Sequence, residues 1–584
     1  MAAAESWASS RRLVSGVTEW LGSLRRREDQ IFLVLTLVVG ALVGLVTVSF
    51  IVLTENLGAR MYPPGCPAWR RVVVPLFGSL LAGILLYLFF PEARGSGVPQ
   101  TKAALYVHGG VISLRTVLGK FFCTSVTLAS GIPLGREGPS VQVGAGIASL
   151  LGRRVGLSKE HLKQLFPAGV SAAIAAAFNT PLAAVLFSLE EIMGNLHAPV
   201  LGSVVLSATT SWLVLRLLLG NEPLFHVPEY TLVHPVEFAL YGLLGLIGGL
   251  VSAAFVRLLL WIRARFLRFP VRTRAFQPGI GGLAVGLVAW FVPEVLGVGY
   301  TYVGGALNNQ MSPWVMGSLV VLKLLLVCIA YGTGNAGGIF GPSLFLGAML
   351  GGTLGSVAHL LFPGYTATPG AYALVGMGAV FAGIVRAPMT SVLMIFEVTR
   401  DYAIIVPLMI SNLVAYIVSM RLQRVPIYEA LAKQDGIHLP TPETRADQEG
   451  MLARDVMGAP GDAIPADITV PEAAARCREA SRENWPVARG NELVGMVSLS
   501  QLTRWVSEGR QAAALSDLLE PCPDLHVHPD HDLVVALKKL GQSGLDTLPV
   551  VSRGNPRQLE GIITLEAVLR AYGIDRTGPR TTSG

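Results

Sequence analysis

FNTPLAAVLFSLE, residues Phe178–Glu190, aligns without a gap on VRAPMTSVLMIFE, residues Val385–Glu397. Pro181 falls on Pro388, Val185-Leu186 on Val392-Leu393, and Glu190 on Glu397. Upstream, Pro139 precedes Pro181 by 42 positions and Pro342 precedes Pro388 by 46. Two halves of the chain thus carry one order: a Gly-Pro break, an apolar helix, a second Pro break, and an apolar helix ending in Glu. Paired interruptions in corresponding halves of an apolar region point to a site built from discontinuous helices near a bilayer midplane.

The apolar region is extensive. The 584-residue chain is 52% hydrophobic and 14% charged, against about 25% charged in soluble proteins. Between Ile31 and Ala432 it runs through apolar stretches at 31–52, 72–90, 168–189, 239–261, 279–292, 371–396 and 404–420. Several exceed the roughly 20 residues that a spanning helix needs, and a buried core does not explain so long a series. Residues 1–30 lack the pattern of a signal peptide. Arg11, Arg12, Arg25, Arg26 and Arg27 precede the first stretch, which places that end in the cytoplasm. The net charge of +7 fits this bias, and no basic patch interleaved with aromatics suggests nucleic acid. The five cysteines, Cys66, Cys123, Cys328, Cys477 and Cys522, lie far apart and suggest neither zinc ribbons nor a disulfide framework.

Three glycine clusters interrupt the apolar stretches: Gly95-Ser96-Gly97-Val98-Pro99, Gly135-Arg136-Glu137-Gly138-Pro139 and Gly337-Gly338-Ile339-Phe340-Gly341-Pro342. Broken backbone is tolerated in a bilayer only where protein or an aqueous cavity satisfies it. A helix that starts after such a break offers unpaired N–H groups and positive dipole potential. Ser96 adds a hydroxyl donor. The cavity therefore favours an anion, held without a full positive charge that would trap it.

At these residues the chain resembles the CLC family of chloride channels and proton-coupled chloride exchangers. GSGVP stands for that family's GSGIP, GREGP is verbatim, and GGIFGP fits its GxFxP element. The resemblance extends from about Ile31 to Tyr428. It implies an all-α polytopic membrane protein: an inverted-repeat bundle of about eighteen helices, paired as a homodimer with one pore per subunit. Position by position, Ser96 and Tyr428 would supply hydroxyls to a central chloride, and the N–H groups of Ile339 and Phe340 would complete the site. Glu137 matches the gating glutamate, whose carboxylate occupies the outer anion position and leaves when protonated. Gly95, Gly97, Pro99, Gly135, Arg136, Gly138 and Pro139 belong to the pathway motifs. Ser96, where nitrate-preferring relatives carry Pro, points to chloride.

The internal repeat isolates one further carboxylate. Glu190 pairs with Glu397, so the two should share a structural role such as bonding backbone at a helix end. Glu191 pairs with Val398 and matches the family's internal proton-transfer glutamate. An ionisable group at membrane depth is costly and is by default functional. H+/Cl− antiport is the expected mechanism, with a passive, voltage-gated type of channel through the same pore as the alternative. Lys120, 17 positions before Glu137, could favour anions but reads better as a structural ion-pair partner.

Residues 433–450 read as a polar linker after a membrane domain spanning 31–432. Two similar units follow at 451–508 and 515–574, an α+β pair. Gly495-Met-Val-Ser498 matches Gly561-Ile-Ile-Thr564 at a separation of 66. These resemble a tandem CBS pair, which in related proteins binds adenine nucleotides. The ribose-binding aspartate expected three residues after Ser498 or Thr564 is Gln501 or Ala567, so a nucleotide is a doubtful ligand. Ser498 and Thr564 are ligand candidates and equally capping residues. No HExxH occurs and the histidines are not clustered at zinc-ligand spacing, which argues against an intramembrane metalloprotease. The expectation is no enzyme, no metal and no required cofactor. Chloride and protons are the expected substrates, in a plasma or inner membrane, with the CBS pair cytoplasmic.

Overall fold

The computed structural model describes residues 2–571 apart from 195–199, 221–222, 226, 228–229, 231, 400–401, 438, 440–450, 479–481, 512 and 520–524; of residues 2–28 and 159–160 only the backbone is described. Cys522, most of the polar linker and the side chains of the N-terminal arginines thus lie outside the described residues. The chain divides into two compact units, Met1–Leu439 and Pro440–Gly584.

The first unit is helical. In chain order it contains α1 (Ala2–Met61), α2 (Ala68–Leu88), α3 (Val98–Tyr106), α4 (Leu114–Ala129), α5 (Glu137–Val155), α6 (Lys159–Phe178) and α7 (Pro181–Phe187), which runs into a π-helical turn (Ser188–Met193). There follow α8 (Leu201–Leu219), α9 (Glu237–Leu267), α10 (Gln277–Phe291), α11 (Tyr300–Leu307), α12 (Pro313–Gly332), α13 (Phe340–Leu361), α14 (Pro369–Val385), α15 (Pro388–Thr399), α16 (Ile405–Leu422) and α17 (Ile427–Gln434). Among the described residues seven helical segments are long and apolar enough to cross a membrane. Phe77, Leu217, Trp314 and Leu360 lie exposed on the outside, as lipid contact requires.

Two of the apolar stretches in the sequence are not single spans. The stretch at 168–189 is cut at Asn179 and the stretch at 371–396 at Arg386, with φ of 59° and 67°. A left-handed residue ends a helix, and the prolines two positions on, Pro181 and Pro388, can only begin another. The repeat makes both cuts at equivalent positions.

The same repeat governs how the pieces pack. α5 crosses α6, and α13 crosses α14, at glycines that leave backbone against backbone. A Cβ at Gly144 would meet the Gly169 carbonyl oxygen at 2.3 Å, and one at Gly347 would meet that of Gly376 at 2.3 Å. Small residues at a crossing are what let membrane helices approach closely. α7 and α15 then lie side by side, each capped by the other half. The Glu397 carboxylate accepts from the N–H groups of Leu182 (2.9 Å) and Ala183 (2.7 Å). The Glu190 carboxylate accepts from those of Met389 (3.2 Å) and Thr390 (2.8 Å). First-turn N–H groups have no partner in their own helix, so each half supplies what the other lacks.

The second unit contains α18 (Ala453–Val456), β1 (Ile464–Pro465), α19 (Val470–Arg478), β2 (Asn484–Arg489), β3 (Glu492–Ser498), α20 (Leu499–Ser507), α21 (Leu515–Leu518), α22 (Leu533–Ser543), β4 (Thr547–Val551), β5 (Leu559–Thr564) and α23 (Leu565–Ala571). β1 pairs parallel with β2, while β2–β3 and β4–β5 are antiparallel. Val487 faces Gly495 as Val550 faces Gly561, and each pairing shifts register just after that position. The two halves share one plan of helix, strand pair and helix.

Gly376→Ala forces a Cβ to 2.3 Å from the Gly347 carbonyl and should destabilise by about 1–3 kcal/mol. Gly202→Ala, with nothing within 4 Å of the added carbon, should be neutral. Thermal unfolding in detergent compares them, and equal midpoints would contradict the packing described.

Candidate functional site

Gly135 and Gly338, from the two equivalent breaks, form an isolated antiparallel bridge with N–H to O distances of 2.7 Å in both directions. This stitches the start of α5 to the start of α13. The first cluster closes on the same point. Gly97 has a φ of 106°, and a Cβ there would meet the Gly138 carbonyl oxygen at 2.2 Å. A Cβ on Gly138 would in turn meet the Ser96 carbonyl oxygen at 2.5 Å. Only glycine fits both positions, and α3, α5 and α13 therefore begin around one spot.

Ser96 and Ile339 are fully buried, and Phe340 and Tyr428 nearly so. The Ser96 hydroxyl has no hydrogen-bond partner of good geometry among the described residues. A buried polar atom left so is costly. Phe340 is fixed by rings of Phe178 (4.8 Å between centroids), Phe187 (5.6 Å) and Phe381 (4.3 Å), which holds the N-terminus of α13 still. α17 packs on α3 and brings in Tyr428. Beside Ser96 and Tyr428 lies Tyr331 from α12, a third hydroxyl that an apolar helix pattern conceals.

Glu137 is fully buried at the first turn of α5. One carboxylate oxygen accepts from the Gly341 N–H at 3.3 Å, and the other from the Tyr300 hydroxyl. The carboxylate thus rests on the N-terminus of α13. A helix N-terminus that holds a carboxylate can hold another anion once the carboxylate leaves. Arg136 points away, with its guanidinium donating to Glu55 at 2.9 Å and lying 5.6 Å from the Tyr300 ring centre. Tyr300 is 163 residues from Glu137 and no local signal links them.

Lys120 departs from its expected role. Its buried ammonium makes no ion pair among the described residues but donates to the carbonyls of Ala93 (2.9 Å) and Gly95 (2.6 Å). Broken backbone just before Ser96 leaves carbonyls in need of donors, and Lys120 supplies them. It is Glu191 that has the buried ion pair: its carboxylate lies 2.8 Å from the Lys102 ammonium on α3. Glu190, its neighbour, is occupied at α15. Two carboxylates are thus buried, Glu137 at the break and Glu191 at the π-helical turn. Glu237, buried as well, is held elsewhere by the Ala367 N–H (2.5 Å) and the Tyr372 hydroxyl (3.0 Å).

In the second unit the candidate hydroxyls act as helix caps. Ser498 Oγ accepts from the Gln501 N–H at 3.1 Å, while Gln501 Oε1 accepts from the Ser498 N–H at 2.9 Å. Thr564 Oγ1 accepts from the Ala567 N–H at 3.1 Å.

A family profile described as voltage gated chloride channel matches residues 78–420, and one described as CBS domain matches 515–574. A ClcB-like protein of Ralstonia nicotianae is 35% identical over 384 residues, 64% of this chain and 89% of that protein. The H(+)/Cl(-) exchange transporter ClcA of Vibrio cholerae is 33% identical over 373 residues, 62% of this chain and 80% of its own. The solved structure of a slow cyanobacterial Cl−/H+ antiporter superposes with a TM-score of 0.65 at 28% identity, covering 69% of this chain and 97% of its own.

Tyr300→Phe removes a hydrogen bond that holds Glu137 on α13. Chloride, competing for that N-terminus, should then bind about tenfold more tightly, as loss of one charge-assisted bond implies. Titration calorimetry reads this directly, and unchanged affinity would contradict the latch.

Proposed function

The chain belongs to the voltage-gated chloride channel family, and from that premise we propose that it exchanges chloride for protons across a membrane. The observation that carries the reading is the pair of buried carboxylates, Glu137 at the spot where three helices begin and Glu191 at the π-helical turn. One gate is enough to admit an anion. A second buried acid, absent from the equivalent position of the repeat at Val398, is what a proton path needs in addition.

In this reading chloride rests against the hydroxyls of Ser96 and Tyr428 and the N–H groups of Ile339 and Phe340. Dipoles and hydroxyls attract it without trapping it. When chloride enters the outer position, Glu137 is displaced, takes a proton and leaves the Gly341 N–H. Glu191 supplies or receives protons from the other side, which we take as cytoplasmic, along with the N-terminus and the second unit. The uncharged hydroxyls suit a monovalent anion, and the relatives named for H+/Cl− exchange support the same choice. The pathway is complete within one chain, and we take the assembly to be a homodimer of such pathways. The CBS-like unit is read as structural rather than nucleotide-binding, because Ser498 and Thr564 are occupied as caps.

The test is chloride flux from liposomes with external pH recorded. A chloride gradient alone should drive protons uphill. Glu137→Ala should keep chloride movement and lose protons, and Glu191→Val should do the same. Chloride flux with no proton movement in the unaltered protein would leave a passive channel and overturn exchange.

A further inference from the structure

The Lys102–Glu191 pair has a position that simple exchange does not use. Lys102 and Glu191 are 4% and 8% exposed, and their charged groups are 2.8 Å apart. Lys102 sits on α3, the helix that begins just after Ser96. Tyr106, one turn on, donates to the carbonyls of Ile192 (3.0 Å) and Met193 (2.7 Å), so α3 and the π-helical turn of Glu191 are locked together.

The titratable and charged groups facing Glu191 are few. Lys102 comes from α3, Glu190 from its own turn, Tyr428 and Glu429 from α17, and Arg386 from the end of α14. Glu190 is bound to the N-terminus of α15. Arg386 donates to the Arg424 carbonyl at 2.7 Å. Among the described residues Lys102 is the cation in direct contact with Glu191.

On the exchange reading above, we propose that Lys102 is the residue that couples proton uptake at Glu191 to chloride in the central position. With Glu191 ionised, the pair is neutral. A proton on Glu191 leaves a buried ammonium without a counter-charge, an arrangement proteins rarely tolerate. Chloride against Ser96 and Tyr428 restores the balance, since α17, which carries Tyr428, and the turn of Glu191 both pack on α3, the helix that follows Ser96 and carries Lys102. Proton and chloride therefore favour each other, and linkage makes the effect reciprocal. A merely structural ion pair would fix the turn and leave chloride affinity indifferent to the proton on Glu191.

The experiment measures chloride affinity by titration calorimetry in detergent at pH 5 and pH 8. Glu137→Gln is the background, so that no carboxylate titrates at the outer position. Chloride should bind about tenfold more tightly at the lower pH, a typical coupling between two sites. Adding Lys102→Met should give weak binding at both pH values. Adding Glu191→Gln should give tight binding at both, and Lys102→Arg should keep the dependence. A pH-independent affinity in the background protein, or a dependence that survives Lys102→Met, would overturn the proposal. If Lys102→Met fails to fold, Glu191→Gln decides alone: its affinity at pH 8 must match the background value at pH 5. Uphill proton transport in liposomes is read separately. Its loss with the linkage intact defeats exchange, and its persistence without the linkage defeats the role of Lys102.

Discussion

The reciprocal hydrogen bonds between Gly135 and Gly338 are the constraint on which the site depends. They join two chain breaks that lie about two hundred residues apart in sequence and would each be costly alone in a bilayer. Once joined, they aim two helix starts at one place, and the Gly97–Gly138 contact brings a third. On the proposed reading, an anion site results from backbone alone, before any side chain is chosen. Ser96, Tyr428 and Tyr331 then add hydroxyls, and Glu137 adds a buried carboxylate that in the proposed function competes with the anion.

Symmetry explains most of the remaining architecture, and its failure locates the chemistry. The Gly144–Gly169 crossing repeats as Gly347–Gly376, the left-handed Asn179 as Arg386, and the cap made by Glu397 as that made by Glu190. These are matched because both halves solve one physical problem, the satisfaction of broken backbone. Glu137 and Glu191 have no carboxylate partner in the other half: Phe340 opens α13 where Glu137 opens α5, and Val398 stands opposite Glu191. The unmatched acids are the ones to which the proposed function gives the protons.

The repeat, the breaks and the glycines are legible in the sequence because each is a local pattern that occurs twice. The helix boundaries are less so. Residues 168–189 and 371–396 look continuous by apolarity, although their prolines cut them. α12 is interrupted in sequence by Lys323, whose buried ammonium lies 4.1 Å from the Phe345 ring centre. The contacts of Tyr300 with Glu137, and of Lys102 with Glu191, span 163 and 89 residues, and no spacing rule reaches so far. Lys120 misleads for a related reason. A buried lysine invites the search for a carboxylate, but its partners are carbonyls freed by the break at Gly95.

Three converging helix starts and two hydroxyls form an anion site: this is the central claim. Anomalous scattering from crystals grown in bromide tests it most directly. A peak should appear between Ser96, Tyr428 and the N–H groups of Ile339 and Phe340, with a second at the carboxylate position when Glu137 is replaced by Gln. Bromide bound elsewhere, with none beside Ser96, would contradict it.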